Sequence, residues 1–142
     1  MKLEIALAYS NYLRDGTHRM DDGTRQITDY DQASNQAWSQ VIQFYDSLGR
    51  QDYRDYRMDD GTRQITDYDQ ASNQAWSQSV QFYDSLGRQD YRDYCMDNGS
   101  RVFVDYDQDS TKNWSTWQTE YNAAGGVTRQ VITYDTGSVV TL

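Results

Sequence analysis

The apolar positions of this chain fall in short extended runs, and neither side of any run is purely apolar. In the run WSQVIQFY, residues 38–45, Trp38, Ile42 and Phe44 share one side of an extended strand while Val41 and Tyr45 take the other. RQDYRDYRM, residues 50–58, sets Tyr53 against Tyr56 and Met58, and TRQITDYD, residues 62–69, sets Ile65 against Tyr68. Asp46-Ser47-Leu48-Gly49 separates the first two runs and Asp59-Asp60-Gly61 the next two. Both are hairpin signals, because Gly accepts a positive φ at low cost. A polar loop, 70–74, follows the third run, and no proline interrupts a ladder anywhere.

These three runs recur. Residues 57–94 repeat residues 19–56 with two changes, Val41 to Ser79 and Ile42 to Val80, and a diverged copy opens at Cys95. A fixed period of 38 residues marks a tandem-repeat architecture. The predicted fold is all-β: one continuous antiparallel meander of 38-residue units, about three strands each, open to curling or closing into a barrel-like or oligomeric sheet. An odd strand count reverses the direction in which each unit is entered, so neighbouring units are expected to be related by a flip. The expected division of this single domain is an N-terminal strand or cap (1–18), repeat 1 (19–56), repeat 2 (57–94), and a diverged repeat 3 with a C-terminal cap (95–142). At the N-terminus Leu3, Ile5, Leu7 and Tyr9 alternate with Glu4, Ala6 and Ala8, which predicts a strand. Helix is the alternative, since Ala, Leu and Glu also suit one.

Composition changes the picture of the interior. Tyr, with 13 copies, is more frequent than Leu, Ile or Val taken singly, and mean hydropathy is −1.00. Tyr combines a large contact area with a polar tip, so ladders of Tyr with Tyr or Arg are expected to hold the sheet without an oily core. Strands so weakly sided specify register poorly, and open edges invite self-association.

A net charge of −9 repels a phosphate backbone, which argues against nucleic-acid partners. No apolar run is long enough to insert in a membrane, and no signal peptide is read in the N-terminal stretch. Cys95 stands where the other copies have Arg19 and Arg57, and reads as a drifted surface residue rather than a reactive thiol. With one histidine and no nucleophile-elbow or phosphate-loop pattern, the chain is not expected to be an enzyme.

Two constellations remain. Trp38, Trp76 and Trp114 occupy equivalent positions, with Trp117 extra; they read as packing anchors between units or as a row of stacking platforms for a glycan. Asp105, Asp107 and Asp109 alternate as do the first ligands of an oxygen-rich calcium loop, although no downstream Gly or bidentate Glu completes that pattern.

The dipeptide Tyr-Asp recurs at Tyr30, Tyr45, Tyr68, Tyr83, Tyr106 and Tyr134, twice within YDSLGR. It resembles the YD (Rhs-type) repeats of large bacterial surface and secreted proteins. That resemblance implies a β-strand scaffold without catalytic residues, lying outside the cell or on its surface as part of a larger protein. The units also resemble, less closely, the aromatic hairpin repeats of choline-type cell-wall-binding modules, which would imply carbohydrate or cell-wall binding.

Overall fold

The computed structural model describes residues 16–142. The predicted N-terminal strand at Leu3–Tyr9 lies outside them. Among the described residues eleven strands form one sheet in sequence order: β1 (Gly16–Arg19), β2 (Arg25–Tyr30), β3 (Trp38–Tyr45), β4 (Gln51–Met58), β5 (Arg63–Tyr68), β6 (Trp76–Tyr83), β7 (Gln89–Met96), β8 (Arg101–Tyr106), β9 (Trp114–Tyr121), β10 (Val127–Tyr134) and β11 (Val139–Thr141). Every pairing is antiparallel, and each strand touches only the strands beside it. The fold is therefore the predicted meander. Among the described residues it stays open, a single layer with no second sheet or helix packed on either face.

The tight turns share one design. In the β4–β5 turn the Gly61 N–H bonds the Met58 carbonyl, the Met58 N–H bonds the Thr62 carbonyl, and Gly61 sits at φ 86°. This is a type I turn closed by a glycine bulge, and the same bonds recur at Gly49 and Gly87. An aspartate fixes each of these three, and Asn98 and Asn122 take that place in the β7–β8 and β9–β10 turns. Asp60 accepts the backbone N–H and hydroxyl of Thr62, at 2.9 and 2.6 Å, and Asp46 accepts the backbone N–H of Leu48 and Arg50. The Asp of each YDSLGR segment is thus a turn-former, with the preceding Tyr ending the strand.

Long loops join β2 to β3, β5 to β6 and β8 to β9. Each turns on a serine in the left-handed region (Ser34, Ser72 and Ser110, φ 51–52°). The Gln70 amide reaches back across the sheet end to the Gln51 carbonyl at 2.6 Å, and Gln108 does the same to Gln89. These two loops, β5–β6 and β8–β9, are stapled to the strand ends beside them.

Register shows how the units are related. Ile42 faces Asp55, Ile65, Gln81 and Arg92 in successive strands, and Val41 faces Asp29 and Tyr56 on the other side. Val80, the counterpart of Ile42, pairs with Thr66 and Asp93, on the Val41 face. Each unit is thus carried onto the next by a half-turn about an axis across the strands, combined with a shift of three strand spacings, about 14 Å. Equivalent side chains alternate between faces and between sheet ends. Neither face becomes the oily one, so no continuous core forms. Among the described residues only Val41 and Ile132 are buried apolar side chains, while Asp55, Thr66, Ser79 and Thr119 are buried polar ones.

One reading of the faces is corrected. Trp38 pairs with Met58 and Gln40 with Arg57, so Ser39 is an extra, bulged residue. The bulge turns Trp38 to the Val41 face, where its ring meets Tyr56 at 6.4 Å, and away from Ile42 and Phe44. The Ser39 hydroxyl bonds the Arg57 carbonyl and holds the bulge, as Ser77 and Ser115 do in the later units.

Candidate functional site

The equivalent tryptophans are not brought into one row. Trp38 lies on the Val41 face. Trp76 packs on Tyr94, at 6.1 Å, on the Ile42 face and at the opposite end of the strands. Trp114 returns to the Val41 face, six strands from Trp38. Each caps the tyrosine or tryptophan nearest its own bulge. Trp114 alone meets a second tryptophan: its ring centroid is 5.9 Å from that of Trp117, at an interplanar angle of 84°.

The three aspartates also diverge. Asp105 lies in β8 beside Trp117, half-buried; burial and the nearby Asp90 raise its carboxyl above the ordinary 3.8. Asp107 folds into its own loop, accepting the backbone N–H groups of Thr111 and Lys112 and the Thr111 hydroxyl. Asp109 turns to Arg88, 3.1 Å away on the adjacent turn. Each carboxylate already has its own surroundings, and among the described residues no three His, Cys, Asp or Glu side chains converge as a metal site would require. The acid at 109 has a visible use: Arg88 bridges Asp84 and Asp109, whereas Arg50 pairs with Asp46 alone and finds Ala71 at the equivalent position.

The charged pairs follow the repeat. Asp55 is 3 % exposed and holds Arg63 through two bonds of 2.7 Å, on the Ile42 face. Asp93 holds Arg101 identically, on the Val41 face. One unit earlier the acid is Thr17. There the buried Arg25 Nε has no hydrogen-bond partner, and the guanidinium lies 4.4 Å over the Tyr45 ring instead.

The deepest divergence surrounds Trp117. In the second unit its position is Ser79, fully buried, with Arg92 extended above it over the Tyr94 ring at 4.5 Å. In the third unit Ser79, Arg92 and Tyr94 become Trp117, Gln130 and Ile132. Gln81, which binds the Tyr83 hydroxyl at 2.8 Å, becomes Thr119. An open trough of about 550 Å³ results on the Val41 face. Its floor is Thr119, 7 % exposed, with Phe103 on β8 and Gln130 on β10 at either side. Sequence reasoning singled out Trp114 and Trp117 and missed Thr119 and Gln130. Aligning the third copy against the second along adjacent strands would have found them.

No family model matches this chain, and no curated protein matches it.

Proposed function

We propose that the chain is a structural element, a tandem-repeat β-scaffold or spacer within a larger exported or surface protein, with no catalysis of its own. One observation carries this reading: each strand bonds only to its sequence neighbours, and each unit is the previous one turned over and shifted. Such a sheet is quasi-one-dimensional, so its length is set by the number of units and its ends stay far apart. The exported or surface setting rests on the resemblance to YD repeats alone.

Self-association belongs to the same proposal. Gln130 and Leu142 exchange both backbone bonds, so Val139 and Thr141 direct theirs away from β10. That edge carries no Lys or Pro to blunt it. A second copy of the chain is its proposed partner.

Deleting residues 57–94 tests the scaffold. It removes three of eleven strands and should leave a cooperatively folding sheet whose urea m-value falls roughly in proportion to the surface lost. A collapsed or unfolded product would sink the scaffold reading. Light scattering against concentration tests the edge, with Thr141→Pro expected to abolish association. A chain monomeric at all concentrations removes the self-association and leaves the scaffold standing.

A further inference from the structure

We propose that the third unit carries a saccharide-binding trough on the Val41 face, floored by Thr119 and walled by Trp117 and Tyr121, that takes a neutral pyranose. This inference does not depend on the scaffold role.

The first two units show what the trough looks like when filled. At the Trp117 position they have Val41, 3 % exposed, and Ser79, fully buried; each lies beneath an arginine that covers a tyrosine ring. At the Thr119 position they have Gln43 and Gln81, whose amide oxygens accept the hydroxyls of Tyr45 and Tyr83, so side chains occupy the floor. The third unit shortens the floor residue, removes the covering arginine and enlarges the wall. Three changes on two adjacent strands, at 117, 119 and 130, act on one volume. Arg101, held by Asp93, lies 5.6 Å over the rings of Phe103 and Tyr121 and closes that end.

The chemistry of the lining selects the ligand. A pyranose presents an apolar C–H face that packs on an aromatic ring, and equatorial hydroxyls that need donors and acceptors at its edge. Trp117 and Tyr121 supply rings two alternate positions apart on β9. Trp114, perpendicular to Trp117, widens the apolar wall. In the lining Asp105 can accept, Lys112 can donate, and the Gln130 amide, whose nitrogen already donates to the Thr119 hydroxyl at 3.4 Å, keeps its oxygen as an acceptor. The volume falls within the usual range for a small-molecule site. An organic cation would also suit aromatic walls beside a carboxylate, but Lys112 stands in the same lining and opposes a second positive charge. Asp105 and Lys112 offset one another, which favours an uncharged ligand.

The test titrates the intact chain with cellotriose, maltotriose and N,N′,N″-triacetylchitotriose, and separately with tetramethylammonium, following tryptophan emission and amide chemical shifts. At least one trisaccharide should bind saturably with a Kd of roughly a millimolar or tighter, shifting the amides of β8 to β10. Thr119→Gln and Trp117→Ser each install the second unit's residue, so the sheet should tolerate them. Each should weaken binding about tenfold or more, while Trp76→Phe on the other face leaves it unchanged. If either variant melts early, Gln130→Arg replaces it and carries the same expectation. Three results overturn the proposal: no trisaccharide binds, binding survives the trough variants, or only tetramethylammonium saturates.

Discussion

Asp55 and Arg63 face one another across β4 and β5 through two parallel bonds of 2.7 Å, and 38 residues later Asp93 and Arg101 repeat the arrangement on the reverse face of the sheet. In a single layer with few buried apolar residues, these forks do much of the work of a core: they fix register and fill space on both faces. Removing the buried member should be costly, because it strips Arg63 of both carboxylate acceptors and leaves it only Tyr53. Asp55→Ala is expected to lower stability by about 2 kcal/mol. Asp93, more exposed, should matter less. The reverse experiment uses Thr17, which stands where the acid belongs. Thr17→Asp offers the unpartnered Arg25 Nε an acceptor and should stabilise by up to about 1 kcal/mol. Urea melts of the three variants decide it; equal losses at Asp55 and Asp93 would contradict the burial argument.

The loop serines carry backbone strain. Ser72 holds φ 52°, which is unfavourable for a residue with a Cβ, and no packing role offsets it at an exposed site. Ser72→Gly relieves that strain but adds freedom to the unfolded chain, for a net gain of about 0.5 kcal/mol. Gly61→Ala should show the opposite sign. Its φ is 86°, and a Cβ there would sit 3.3 Å from the Ser85 Cβ of the adjacent turn. A loss of about 1 kcal/mol or more is expected. Thermal melts read both, and a stabilised Gly61→Ala would show that the turn can relax into another type.

Much of this was legible beforehand. The β3 strand was read from 38 to 45 and found there, because bulky residues bounded by Asp-Ser-Leu-Gly leave little choice. The flip between units followed from counting strands. The bulge at Ser39 was not legible. One extra residue in a ladder leaves no distinctive letter, and a second extra residue, Asp52 in β4, restores equal strand lengths and hides it. Trp38 was placed on the wrong face for that reason. The trough stayed hidden because Thr119 and Gln130 are unremarkable alone and become neighbours only through the β9–β10 register.

Cys95 has an electrostatic rationale. Its counterpart Arg57 lies directly opposite Arg63, a like-charge pair, and Arg19 lies opposite Arg25. Cys95 faces Arg101 and removes one such repulsion. Cys95→Arg should therefore lower stability by about 0.5 kcal/mol at low salt, with the deficit shrinking as salt rises. Cys95→Ser separates loss of the thiol from gain of charge, and should be near neutral. A deficit for Cys95→Arg that ignores ionic strength would assign the effect to size.

Asp67 and Asp60 should respond to pH in opposite senses. Burial, and then the negative charge of Asp52, raise the Asp67 carboxyl above 3.8, and Arg92 opposes this only in part. A raised folded value means the folded chain holds the proton more tightly than the unfolded one. Its contribution is full below the unfolded value and is lost as pH rises through the folded one. At pH 7 the ionised Asp67 is thus a liability. Asp67→Asn should melt higher than the parent there, by about 2 °C, with the difference closing at pH 3, where the parent carboxyl is protonated. Asp60 is the mirror case, because the hydroxyl and backbone N–H of Thr62 hold its carboxyl below 3.8. Its contribution is present above the unfolded value and lost as pH falls through the folded one. Asp60→Ala should therefore melt lower than the parent at pH 7, and the gap should narrow towards pH 2. Melting curves for both variants across that range give the answer, and a constant offset at every pH would show that packing, not ionisation, separates them from the parent.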